Sequence, residues 1–325
     1  MKTKSKIIIL FGFLVLLFPM CNLDDDFEKG KFPETPVNIE DLNTEYDDYN
    51  SAAPYELYDE FPFVFSSNRV SEGGNFDLVN YLVYYHFDTS KDQFYFEVID
   101  ASYYIFDSAL VNINTEYNEY GPLVIMAPDY INKLFLFASD RSGDLDIYYV
   151  KNVINEETWS DPVLFDKVNS DYNDAYPTFN QSITDVYFCS DSSGNFDIYN
   201  VDIPTTFTLV SWMESDRPVT WEPCTVLNSS SDDKCPYIVG DLMVFTSNKS
   251  GGYGGYDLYY SKLKNNLWTT PVNFGPTINT EYDEYRPITM YDNNYENDLM
   301  IFSSNRPGGK GGFDLYYVGI PKIIN

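Results

Sequence analysis

FVFSSNRVSEGGNFDL (63–78), FLFASDRSGDLDIYYV (135–150), VYFCSDSSGNFDIYNV (186–201), VFTSNKSGGYGGYDLYYS (244–261) and IFSSNRPGGKGGFDLYYV (301–318) are five versions of one unit. Each is a hydrophobic run, a Ser-Asn/Asp turn with glycine, then Asp-(Ile/Leu), usually with Tyr next. A second motif precedes each copy. It reads Asn-Thr/Ser-x-Tyr/Ser-Asp/Asn-Asp/Glu and leads into a proline, and its copies start at Asn43, Asn114, Asn169, Asn228 and Asn279. Units repeated in this way cannot bury a hydrophobic face alone and must stack or close radially. Short alternating runs such as Asp197-Ile198-Tyr199-Asn200-Val201 have the period of two of half-buried strands. The fold class is all-β.

The aspartates of the repeat, Asp77, Asp146, Asp197, Asp257 and Asp314, are spaced by 69, 51, 60 and 57 residues. One four-stranded propeller blade with its loops takes roughly 40–50 residues, so each interval holds one blade. Strand a follows the Asn motif, b is the hydrophobic run, and c carries Asp-(Ile/Leu)-Tyr. Strand d holds Trp-x-x-Pro-Val, as in Trp159–Val163 and Trp268–Val272, shortened at Trp221-Glu222-Pro223. The last repeat ends after strand c. Its missing d is matched near the other end, where Thr35-Pro36-Val37-Asn38 parallels Thr270-Pro271-Val272-Asn273. The expectation is a five-bladed β-propeller over 35–325, closed by a strand near 36–42 pairing with 313–320, which removes a free sheet edge.

The repeat motif is structural on chemical grounds. Asn and Asp bond their own backbone in turns and Gly takes positive φ, and the aspartate that follows accepts hydrogen bonds from that turn. A scaffold residue recurs in every blade, whereas a catalytic residue is normally unique. These units resemble the WD-type repeats of TolB-like proteins of Bacteroidetes envelopes, over about residues 35–320. That resemblance implies a propeller and says little about activity.

Residues 1–20 have the layout of an export signal: Lys2, Lys4 and Lys6, then an apolar run from Ile7 to Phe18 too short to span a membrane comfortably. The segment ending at Cys21 resembles a bacterial lipoprotein signal, with Met20 where a small residue is usual. The resemblance implies lipidation of Cys21 and an acidic tether over 21–34, whose Asp24-Asp25-Asp26 is similar to surface-export tags of Bacteroidetes lipoproteins. The expected location is the outer membrane, exposed at the cell surface, with a periplasm-facing orientation as the alternative. Contact with the membrane is expected through the lipid alone.

The chain carries 50 acidic and 20 basic residues, a formal net charge of −30, which repels nucleic acids and anionic membranes. One histidine, His86, and no Cys-x-x-Cys argue against a zinc site or a His-based triad. Cys224 and Cys235 could pair in an oxidising exterior; Cys189 reads as a buried thiol.

Strand alternation puts the d–a loops and the b–c turns on one face. The loops supply acids, among them Asp47, Asp48, Asp283 and Glu284, and the turns supply Arg69, Arg141, Lys249 and Arg306, with Ser192 in the third copy. Ion pairs are expected between them, weak if exposed. No cofactor is required, while Ca²⁺ at those four acids is an option set against a solvated acidic rim. Two insertions, 80–111 and 204–222, are rich in aromatics. Tyr84, Tyr85 and Trp212 are candidate contacts for a sugar or protein partner, against a packing role. No catalytic constellation is visible. The leading expectation is therefore a non-catalytic protein-binding or scaffolding propeller partnered by an envelope protein or a glycan. The alternatives are a glycan-binding or glycoside-hydrolysing propeller using central carboxylates, and a soluble ligand sensor.

Overall fold

The hydrophobic runs of the repeat are continuous rather than alternating because both faces of those strands are covered by neighbouring blades, as in any sheet buried on both sides. In β15 (Leu242–Ser247) and β20 (Asp298–Ser304) of the structure every residue is buried. The structure, a computed structural model, describes residues 29–53, 60–99, 106–153 and 158–322.

The chain opens with a two-residue strand, β1 (Val37–Asn38). The first blade is β2 (Asp48–Ala52), β3 (Glu60–Ser67), β4 (Asp77–Asp88) and β5 (Gln93–Ile99). Helix α1 (Asp107–Ile113) leads to the second, β6 (Glu119–Met126), β7 (Asn132–Ser139), β8 (Asp146–Val153) and β9 (Val163–Leu164). The third is β10 (Asp174–Phe179), β11 (Asp185–Ser190), β12 (Asp197–Asp202) and, after helix α2 (Leu209–Met213), β13 (Glu222–Pro223). The fourth is β14 (Asp233–Val239), β15, β16 (Asp257–Lys264), β17 (Leu267–Trp268) and β18 (Val272–Asn273). The fifth is β19 (Glu284–Met290), β20 and β21 (Asp314–Ile320). Strands within each blade are antiparallel, and each inner strand packs on the inner strands of its two neighbours, closing a ring of five.

The fifth blade takes its outer strand from the start of the chain. β1 pairs with β21 in the register Val37↔Tyr317 and Asn38↔Tyr316, as the repeat arithmetic requires. Just beyond it the Asn motif acts as a clamp. Asn43 Nδ2 donates to Leu315 O at 2.9 Å, and Leu315 N donates to Asn43 Oδ1 at 2.8 Å. The same two-way bond joins Asn114 to Leu78, Asn169 to Ile147, Asn228 to Ile198 and Asn279 to Leu258. An asparagine amide has one donor side and one acceptor side, so it replaces a strand neighbour at the residue after each motif aspartate.

The two insertions pack on the ring. Residues of 80–111 lengthen β4 and form β5, whose Phe94 and Phe96 lie 5.5 and 5.2 Å from the Tyr317 ring. Residues of 204–222 form α2, whose Trp212 is fully buried edge-on to Phe165 at 5.9 Å.

Candidate functional site

The axis is lined by the inner strands, and each carries a bulge at the same place. The third residue of each inner strand has positive φ: Asn50 (56°), Gly121 (55°), Tyr176 (58°), Cys235 (55°) and Arg286 (46°). In four blades a proline follows it. The bulge redirects backbone donors between blades, since Asn50 N donates to Ser303 Oγ and Arg286 N to Thr246 Oγ1, both at 3.2 Å. Non-glycine residues in this region are strained by about 1–3 kcal/mol each, and the ring holds four of them at its centre.

Two of these five side chains close the axis. The Tyr176 ring lies where a Cβ at position 121 would stand, so glycine is required there by both φ and space. Asn50 Nδ2 donates to the Tyr176 hydroxyl at 3.4 Å. Arg286, with no solvent exposure, sends Nη1 to Pro236 O on β14 and Nη2 to Pro122 O on β6, each at 3.3 Å. Its guanidinium lies 5.4 Å from the Tyr176 ring centre and 5.8 Å from that of Tyr237.

Past this plug, toward the C-terminal ends of the inner strands, lies a cavity of about 730 Å³. Ala52, Leu123, Thr178 and Tyr237 line it next to the plug; Phe106, Met126, Phe179 and Tyr291 extend its walls; Gln181, Asn293 and Lys322 stand exposed at its rim. None of the described lining residues is Asp or Glu. Ile183 separates it from a smaller cavity of about 290 Å³.

Before the plug, at the opposite end of the inner strands, the first residues are five buried carboxyls: Asp48, Glu119, Asp174, Asp233 and Glu284. Arg69, Arg141 and Arg306 pair with three of them, Asp48 at 2.6 Å, and Glu119 and Glu284 at 2.9 Å. Each guanidinium also donates to a carbonyl, of Leu42, Ile113 or Ile278, and stacks on the Phe of strand b at 5.1–5.2 Å. The ion pairs expected between loop and turn form in these three blades, and their carboxylates are buried, so the weakness of exposed pairs does not apply to them. In blade three Ser192 replaces the arginine, and Asp174 accepts from Ser170 N at 2.6 Å and Ser170 Oγ at 2.8 Å. In blade four Lys249 sits over the Tyr259 ring at 3.8 Å and forms no ion pair with Asp233 among the described residues. Burial pushes the Asp174 carboxyl up to about 6 and also raises Glu119, Asp233 and Glu284.

The acids offered for calcium are held by the scaffold. Asp47 accepts from Phe313 N at 2.7 Å and Asp283 from Tyr256 N at 2.9 Å, while Asp48 and Glu284 hold arginines. Among the described residues no group of three metal-ligating side chains forms. The motif aspartates serve their turns: Asp146 accepts from Ser142 Oγ, Asp197 from Ser193 Oγ at 2.6 Å, Asp257 from Tyr253 N at 2.7 Å and Asp314 from Lys310 N at 2.8 Å. Asp77 starts β4, nearly buried.

Three expectations are corrected by packing. Trp212 is fully buried and cannot reach a partner, and Tyr85 is buried with its hydroxyl donating to Asp292 Oδ2 at 2.7 Å. Tyr84 stays half-buried beside His86. Cys224 and Cys235 are free thiols in separate clusters, Cys224 near Ile198 and Leu227, Cys235 near Cys189 and Tyr176. Cys21 lies outside the described residues.

No family model matches the chain, and no curated protein is similar to it. Solved structures do match it. An α-L-arabinofuranosidase from Podospora anserina in complex with cellotriose has a TM-score of 0.52 at 11% identity, covering 90% of this chain and 98% of that one. A thermostable family-43 glycoside hydrolase has a TM-score of 0.54 at 11% identity, covering 86% and 91%. A GH62 hydrolase in complex with xylotriose has a TM-score of 0.51 at 11% identity, covering 90% and 97%. The shared property is the five-bladed ring. The expected non-catalytic scaffold is corrected here: the three structures just named, an arabinofuranosidase and two glycoside hydrolases, share this architecture, and the axis holds a cavity of small-ligand size.

Proposed function

We propose that this protein acts on glycans and takes the end of a saccharide chain into the axial cavity. The observation that carries this is the cavity itself: about 730 Å³, floored by Ala52, Leu123, Thr178 and Tyr237, walled by Phe106, Phe179 and Tyr291 and rimmed by the amides of Gln181 and Asn293. Aromatic walls stack on the C–H faces of sugars, and a few rim amides orient them. The structural neighbours named for cellotriose and xylotriose complexes support the same ligand class. Hydrolysis of a glycosidic bond needs two carboxyls flanking it. Since the described cavity wall has none, recognition is the half of this proposal supported by described residues, and hydrolysis is supported by the neighbours.

An oligosaccharide array followed by calorimetry tests it, with reducing-sugar release measured on the same set. Saturable binding of at least one glycan class is expected, weakened about tenfold or more by Ala53→Trp, which fills the cavity from its wall; that loss corresponds to about 1.4 kcal/mol. Binding that survives Ala53→Trp unchanged would move the site off the axis. The TolB-like repeat signature and the Cys21 segment extend the proposal to a lipid-tethered outer-membrane protein, exposed at the surface, with calcium as an optional ligand of the acidic face. Labelled palmitate is expected to enter the full chain and to be absent from Cys21→Ser; equal labelling of the two would rule out that anchor.

A further inference from the structure

The axial plug contains a charge without a counter-charge. Arg286 is fully buried, yet among the described residues it has no carboxylate within ion-pair distance, and its Nε has no partner. Its two other bonds are long, at 3.3 Å, and go to neutral carbonyls. The contrast with Arg69, Arg141 and Arg306 is internal to the molecule, since each of those meets a buried carboxylate at 2.6–2.9 Å. A guanidinium taken out of water is costly unless an anion meets it.

Its position supplies the direction. The carbonyls it reaches belong to Pro122 and Pro236, whose next residues, Leu123 and Tyr237, are cavity wall. The guanidinium is therefore one residue layer beneath the closed end of the cavity, in contact distance of the Tyr237 ring. The rest of the described lining adds no acid, although the chain carries 50. Lys322, the one cation among the described lining residues, is already engaged by Asp292 O and Asp298 Oδ1, both at 2.9 Å.

We propose that the glycan end taken by this cavity is acidic, a uronic acid whose carboxylate is directed to Arg286 while the sugar ring lies against Tyr237 and Leu123. This rests on the glycan reading and names its substrate class. A planar guanidinium with free N–H groups matches a carboxylate in two-point geometry. The chain's net charge of −30 opposes an anion at long range. That repulsion is screened beyond about 8 Å at physiological salt, whereas the buried contact is not. Acid sugars are thus selected at the bottom of the cavity and not attracted from afar, so association is expected to be slower at low salt.

The test compares matched ligands on the full chain at physiological salt by calorimetry: oligosaccharides ending in glucuronate or galacturonate, and the same compounds with that carboxyl reduced to the alcohol. The expected result is binding of the acid form at least tenfold tighter, with the ratio falling to about one in Arg286→Gln. Circular dichroism and a melt establish that the variant is folded; if it is not, the matched pair on the unaltered protein decides alone. Equal affinity for acid and reduced forms would overturn the acidic-sugar proposal and leave the glycan reading standing. Binding of neither form, with no other glycan bound on the array, would overturn both.

Discussion

A chain beginning at residue 46 is expected not to form the ring, while one beginning at residue 29 folds. The segment between them crosses the seam. Its β1 completes the fifth blade, and Asn43 clamps Leu315 from 272 residues away in sequence. Phe32, fully buried, stacks on Tyr295 at 4.1 Å and meets Phe94 edge-on at 5.2 Å; Phe32 N donates to Asn297 Oδ1 at 2.9 Å and Gly319 N to Pro33 O at 2.6 Å. Ile39 and Leu42 are buried in the same cluster. Losing these side chains exposes blade five and leaves the β21 edge unpaired, a template for association with other chains. Phe32→Ala alone is expected to cost about 3–5 kcal/mol. Asn43→Ala leaves the buried Leu315 N–H without its partner, about 1–3 kcal/mol, while Leu315 O keeps the bond from Ile39 N. The informative control is Asn169→Ala, which removes the same clamp between residues only 22 apart. Denaturant melts of the three variants and size-exclusion of the truncation check this. A monomeric, cooperatively melting chain from residue 46 would show that closure does not depend on the seam.

That seam was legible because a strand d was missing at one end and a Thr-Pro-Val-Asn element was spare at the other. The blade count followed from the spacing of Asp77, Asp146, Asp197, Asp257 and Asp314, which depends only on local geometry. What sequence could not show was partnership across blades. The asparagines of the second motif were visible as repeats, but their clamp needs a partner strand whose register only the fold sets. The acid–arginine pairs were foreseen and their burial was not, since nothing local tells a rim from an interior. The axial residues were missed altogether, although a signal existed. Within a nearly fixed motif, the position before the proline varies as Gly121, Tyr176, Cys235 and Arg286, with Asn50 at the same place in blade one. Scaffold positions repeat because each blade needs them. A position facing the common axis differs from blade to blade, because five identical side chains cannot all occupy one axis.

The second large effect concerns the blade that lacks its arginine. Arg306→Ala is expected to destabilise the protein by about 3–5 kcal/mol, because Glu284 would remain buried without its cation. Ser192→Arg is expected to act in the opposite sense. It supplies blade three with the guanidinium that Arg69, Arg141 and Arg306 give theirs, beside a carboxyl that burial holds at about 6 against its ordinary 3.8. A carboxyl whose folded value is raised binds its proton more tightly in the folded state. Its protonated form therefore stabilises the fold below about pH 4, and that contribution is lost as pH rises through 6. The difference amounts to about 3 kcal/mol by pH 7.5, since each tenfold gain in proton affinity on folding is worth about 1.4 kcal/mol. The parent protein should accordingly be more stable near pH 5 than near pH 8, helped in the same direction by the raised Glu119, Asp233 and Glu284. Asp174→Asn should flatten part of that slope by removing the titration, and Ser192→Arg by lowering the carboxyl toward its ordinary range. Both should raise the melting temperature at pH 8 by about twice as much as at pH 5, where part of the cost is already present. Denaturant melts at the two pH values on parent and variants read the result directly. A parent that is equally stable at both, or a Ser192→Arg variant destabilised at pH 8, would mean that Asp174 finds its counter-charge elsewhere in the folded ring.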